Sequence, residues 1–193
     1  MFFLKKILLF ALSITFFFSC ENNNFSNSEY IDPQIIFSSR RWWNYDIFIH
    51  DIYGGHSTQI TKNKWIDFNP AISPDSKKLL FVSDRDGNRE IYATDLEWLD
   101  GYTQWRGTNL RNITNSQESD WTPVYSPVEN KIAFATYFPQ NDNYDIFIMN
   151  DDGSNMENLT NTSSYEKFPQ FSPDGSSIIY QGWQKGMMDI FFI

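Results

Sequence analysis

The sequence predicts an all-β fold, a β-propeller of four-stranded blades with about four blades present and the ring only partial. Three observations carry that expectation. A unit with a minimal period of 44 residues recurs through residues 33–193. Its strand-like segments are apolar at successive positions, as in Ile146-Phe147-Ile148-Met149, which requires both faces of a sheet to be buried. Gly, Asn, Asp and Pro cluster between these segments where hairpins must turn, as in Asp86-Gly87-Asn88 and Asp152-Gly153-Ser154. Face-to-face packing of blades around an axis satisfies all three.

The chain begins differently. Lys5 and Lys6 precede an uncharged apolar run from Ile7 to Phe18, closed by Ser19 and Cys20. A basic start, a short apolar stretch and a small residue at the exit describe a secretory signal over residues 1–19. The run is shorter than the roughly 20 residues of a membrane span. Cys20 is the only cysteine, so it has no partner for an internal disulfide. Its place at the end of the apolar run resembles the lipobox of a bacterial lipoprotein, with Phe17 where that motif usually has Leu. The resemblance implies acylation at Cys20 and a lipid anchor in a membrane. Residues 20–32 then read as a polar tether.

Cleavage before Cys20 removes Lys5 and Lys6 and leaves 13 basic against 24 acidic residues, a net charge near −11. Such a surface repels nucleic acid and anionic lipid. Aromatic residues make up 18% of the chain, which excludes a disordered one.

The repeat is read element by element. Each unit opens on a proline, in Pro70-Ala71-Ile72-Ser73-Pro74-Asp75, Pro123-Val124-Tyr125-Ser126-Pro127 and Pro169-Gln170-Phe171-Ser172-Pro173-Asp174. Proline cannot donate to a ladder, so this first strand is the inner edge of a blade, facing the axis. Nine residues after each proline comes an apolar second strand, at Leu79, Ile132 and Ile178, and an earlier copy stands at Ile35-Ile36-Phe37. An acidic residue opens each third strand, at Asp46, Glu90, Asp145 and Asp189. A threonine closes the first three units, at Thr61, Thr114 and Thr160, always nine residues before the next proline. From acidic residue to threonine is 15 residues in the first and third units and 24 in the second. The extra nine lie around Glu97 to Thr108, as expected of an insertion on an exposed hairpin.

These phased elements resemble the propeller repeat of TolB-type proteins, over about residues 33–193. The resemblance implies a ring of six or more blades, whereas the chain stops at Ile193 inside the third strand of the fourth unit. The first unit lacks an inner strand, since Ser26 stands where its proline belongs. The expectation is therefore three, four, four and three strands, from a partial sequence. The same repeat occurs in periplasmic lipoproteins and in the propellers of prolyl-oligopeptidase-type serine peptidases.

Residues with catalytic chemistry are few. His50 sits where other units carry Thr94 or Met149, His56 follows Gly54-Gly55 in a turn, and no Gly-x-Ser-x-Gly elbow is present. Asp84-Arg85-Asp86-Gly87-Asn88 has the oxygen-rich start of a calcium loop but not its ligand order, and reads as an Asp-Gly hairpin, like Asn141-Asp142-Asn143. No catalytic residue, metal or cofactor is assigned. Aromatic residues placed in the hairpins between second and third strands, namely Trp42, Trp43, Tyr45, Tyr137, Phe138 and Trp183, are the candidate ligand-facing set. The expectation is a membrane-tethered, non-catalytic binding or scaffold module of the bacterial cell envelope, facing the periplasm or cell exterior, with a protein or glycan partner. The alternative is the propeller portion of a prolyl-oligopeptidase-type peptidase.

Overall fold

The computed structural model describes residues 15–16, 34–41, 44–99, 104–184 and 186–193. Cys20, the tether and most of the signal segment lie outside these residues. The described chain is all-β and forms four sheets, each an antiparallel meander. The first holds β1 (Thr15–Phe16), β2 (Gln34–Arg41), β3 (Asn44–Asp51) and β4 (Ser57–Gln59). The second holds β5 (Asp67–Ile72), β6 (Lys78–Ser83), β7 (Glu90–Leu99) and β8 (Gln104–Asn112). The third holds β9 (Ser119–Tyr125), β10 (Lys131–Phe138), β11 (Asn143–Asn150) and β12 (Glu157–Asn158). The fourth holds β13 (Glu166–Phe171), β14 (Ile178–Gln184) and β15 (Met187–Phe192). These are four blades of a partial β-propeller.

Successive apolar residues now have separate tasks. Leu79 and Phe81 of β6 point into a cluster with Ile36, Ile47 and Ile49 of the first blade. Leu80, between them, points the other way, into a cluster with Ile132, Phe134 and Met149 of the third. Alternation along one strand thus feeds two cores, one on each face of the sheet. Leu79, Leu80 and Phe81 are each 0% exposed, and burial of such side chains is worth ~1.5–3 kcal/mol apiece. A third cluster joins Ala133, Ala135 and Ile146 to Ile178 of the fourth blade.

The prolines sit where a missing donor costs nothing. β5, β9 and β13 are each bonded to a sheet neighbour on one side only. Each also slips register just before its proline, and the residue there adopts a left-handed backbone: Asn69 at φ 50°, Thr122 at 50° and Phe168 at 56°. Side chains are rarely held in this region, least of all one as large as Phe168.

Thr15 and Phe16 pair with Ile36 and Ile35 along the free edge of β2, but they belong to the segment that cleavage before Cys20 removes, so the first blade of the cleaved chain keeps the three strands β2 to β4. The insertion in the second unit falls on the hairpin of β7 and β8 and lengthens both strands. β7 and β8 run 10 and 9 residues, with Trp98 opposite Trp105 and their rings edge to face at 5.2 Å. One turn needs its glycine for space as well as conformation. A side chain on Gly153 (φ +90°) would begin 2.5 Å from the Ile113 carbonyl oxygen.

Candidate functional site: an aromatic and cationic pocket at the axis

The inner strands of the second, third and fourth blades converge at one end of the axis. Their left-handed residues turn the preceding side chains, Phe68, Trp121 and Lys167, into a shared cavity of about 500 Å³. The starts of the third strands complete its wall, with Tyr45 from β3, Arg89 immediately before β7 and Tyr144 from β11.

The cations in this wall lie on rings. The Arg89 guanidinium is 4.0 Å from the centre of the Trp121 ring and 5.8 Å from that of Phe68. Lys167 Nζ is 3.6 Å from the centre of Tyr144 and 5.3 Å from that of Tyr165. Burial lowers the Lys167 ammonium from its usual range, against the opposing pull of Asp142. Among the described residues neither cation forms an ion pair, whereas Lys78, Arg85, Arg106, Arg111 and Lys131 all do. Two donors of the lining, Trp121 Nε1 and Thr122 Oγ1, are buried without a hydrogen-bond partner. Unpartnered buried donors are uncommon.

The aromatic set expected from sequence is dispersed by the structure. Tyr45 lines the pocket and is exposed. Tyr137 stands behind the wall, its ring centre 4.7 Å from that of Tyr144 and its hydroxyl donating to Asp142 Oδ1 at 3.0 Å. Phe138 turns away onto Phe147 at 6.1 Å. Trp183 is exposed on β14 and is not part of the pocket lining. These four residues lie on strands, not in hairpin loops, because β3 begins at Asn44 and β10 and β14 run on to Phe138 and Gln184. Trp42 and Trp43 lie outside the described residues. Sequence reading missed Phe68, Trp121 and Lys167. Each stands two residues before a repeat proline, which is the one signal that marks them.

The remaining chemistry is occupied. His50 Nδ1 bonds Ser57 Oγ at 2.9 Å, and His56 sits beside a shallow polar groove with Ser57 and Gln104. In the Asp84–Glu90 hairpin, Asp84 accepts from the Ile66 amide, Asp86 from Tyr92 and Asn112, and Asn88 donates to Glu90. Among the described residues no three His, Cys, Asp or Glu side chains are grouped to hold a metal. No helix among them is long and apolar enough to cross a membrane.

No family model matches the chain. Over 117 residues it is 28% identical to an uncharacterized protein of Agrobacterium fabrum, covering 58% of this chain and 37% of that one. Over 51 residues it is 39% identical to a TolB homolog of Chlorobium luteolum, covering 26% of this chain and 12% of that one. Among solved structures it resembles TolB from Acinetobacter baumannii, with TM-score 0.64 and 26% identity over 81% of this chain and 37% of that one. It also resembles a putative TolB from Agrobacterium tumefaciens, with TM-score 0.68 and 21% identity over 83% of this chain and 57% of that one. A puromycin-hydrolyzing peptidase of Mycobacterium tuberculosis shares the fold at TM-score 0.62 and 14% identity, over 82% of this chain and 27% of that one. The chain spans somewhat over a third of the Agrobacterium fabrum protein and of the Acinetobacter TolB and somewhat over half of the Agrobacterium tumefaciens one, and its fold is that of a TolB-like propeller.

Proposed function

We propose that this TolB-like chain is a non-catalytic binding module of the bacterial cell envelope, held to a membrane by lipid on Cys20. Its axial pocket receives an anionic, aromatic-bearing segment of a protein partner. One observation carries this reading. In a chain of net charge −9, Arg89 and Lys167 line an aromatic cavity without carboxylate partners. Cations held on rings and away from bulk water attract an anion more strongly than cations at an open surface.

Calorimetric titration of the purified full chain with a short acidic peptide bearing phenylalanine tests it. R89A and K167A are each expected to weaken binding about tenfold, ~1.4 kcal/mol, relative to the wild type. Affinity unchanged from the wild type in both variants sinks the reading. The likeness to a peptidase propeller supplies the rival, a ring that serves a serine hydrolase. Labelling of the native protein by a serine-reactive fluorophosphonate would replace the binding module with that rival.

A further inference from the structure

The inner-strand acidic position recurs in three blades but meets different partners. Asp67, Asp120 and Glu166 occupy it, all buried, across the ladder from Ser83, Thr136 and Gly182. In the second blade Arg85 donates to Asp67 at 3.0 Å, while its guanidinium lies over Tyr92 at 4.3 Å. Arg41 takes the equivalent place in the first blade, 4.2 Å over Phe48. In the third blade that place belongs to Phe138, which packs on Phe147 and brings no charge.

Asp120 is therefore left 1% exposed without a cation of its own. From β10, Thr136 donates to its Oδ1 at 2.7 Å. From β7, Glu90, also 1% exposed, faces it as a second carboxyl. Glu90 is already supplied with donors: Thr114 Oγ1 at 2.6 Å, Asn88 Nδ2 at 2.7 Å and the Ser116 amide at 3.1 Å to both oxygens. The other charged groups on neighbouring elements are engaged elsewhere. Asp67 and Arg85 hold each other, Asp145, across the ladder from Thr136, accepts from Asn158 and the Thr162 amide, Glu166 takes a bond from Thr162, Glu118 one from Gln140, and Lys167 lies over Tyr144.

Asp120 is the less well supplied of the two carboxyls. Beside Thr136 its donor is the Ser116 hydroxyl, 3.1 Å from Oδ2, whose single proton is shared with the Glu118 carbonyl at 2.9 Å. Burial first, with the Glu90 charge beside it, pushes the Asp120 carboxyl up to about 7, against the hydrogen bonds from Thr136, Thr114 and Ser116 that draw it down.

This group sits one peptide behind the pocket wall. The Asp120 amide donates to the Arg89 carbonyl at 2.7 Å, and the next residue carries the ring on which Arg89 lies. We propose that Asp120 is a proton-operated control of the pocket. Neutral, it joins the second blade to the third behind the Arg89–Trp121 wall. Ionised beside Glu90, it drives the junction apart and slackens that wall, so the hold on an anion weakens as the medium turns from acid to alkaline. The coupling to binding rests on the pocket being an anion site, while the proton step needs no ligand.

The test is a titration of the ligand-free full chain from about pH 5 to about pH 9, spanning the expected midpoint. It follows the infrared band of a protonated carboxylic acid and the Trp121 emission, taken as the difference from W121F. In the wild type both signals are expected to change together, with a midpoint near neutrality. D120N should lose both while keeping its β-sheet circular dichroism. F138R, which gives Asp120 the guanidinium that Asp67 has, should move the midpoint below the range scanned. No transition in the wild type, or one that survives in D120N, overturns the proposal. With the transition present, acidic-peptide affinity is expected to fall across it in the wild type and to stay level in D120N. Affinity that is level in the wild type overturns the coupling. A peptide that binds at neither end overturns the anion reading and leaves the proton site standing.

Discussion

Thr114 shows why a closing threonine recurs. Its hydroxyl accepts from the Ile91 amide at 3.0 Å and donates to Glu90 at 2.6 Å, so one side chain ties the end of a blade to the acidic start of its third strand. Thr61 repeats this with the Ile47 amide and Asp46, and Thr160 accepts from the Ile146 amide. Thr114→Val leaves a buried amide and a buried carboxylate each short of a partner, and is expected to cost ~1–3 kcal/mol in urea unfolding, with Thr114→Ser closer to wild type. The Ser-Pro-Asp strings have an equally local cause. Ser73 Oγ donates to Asp75 and Ser172 Oγ to Asp174, both at 2.6 Å, which folds the turn and, with the Ser176 donors, draws the Asp174 carboxyl down to about 2. Asp120 works in the opposite sense. Between the ordinary carboxyl value of 3.8 and about 7, the folded chain keeps a proton that the unfolded chain has released. Stability therefore falls as pH rises through that window, and D120N is expected to flatten the dependence in denaturant melts at successive pH values.

Strands carry the next level of consequence. The long β7–β8 hairpin is anchored by Trp105, which packs with Ile60 against the cluster between the first two blades, while Trp98 is exposed. Trp105→Ala is expected to lower stability by ~2–4 kcal/mol, as large-to-small changes in packed sites do, and Trp98→Ala by less than ~1 kcal/mol, measured by the same unfolding assay. The period, the inner-edge prolines and the two-faced strands were legible because each is a local chemical rule repeated in phase. Strand ends were not, since Arg40, Tyr45, Tyr137 and Trp183 have no turn chemistry to separate hairpin from ladder. The pocket left only a positional trace. Phe68, Trp121 and Lys167 are chemically unlike and far apart in sequence, and only their shared offset from a proline unites them. Nor was the state of Asp120 readable, because it depends on Phe138 standing where the second blade has Arg85.

At the scale of the molecule, each blade is held by its neighbours, through clusters that no single sheet could close alone. Phe81, 0% exposed between the first two blades, is the most direct probe of that dependence. Phe81→Ala is expected to cost ~3–5 kcal/mol and to loosen both blades together in hydrogen exchange. Attachment is a separate matter. Cys20→Ala is expected to move the protein out of the membrane fraction or leave it unprocessed, and unchanged fractionation and processing would remove the lipid anchor from the proposed function. The left-handed residue and proline that open three inner strands set the pocket by backbone shape, before any side chain is chosen. Whatever hangs at those offsets is presented to the same cavity; of the three, Trp121 also packs against the cluster that joins the third and fourth blades. Mutation can thus rewrite the chemistry of the cavity letter by letter while the scaffold is inherited unchanged, which makes the molecule's specificity far more free to drift than its fold.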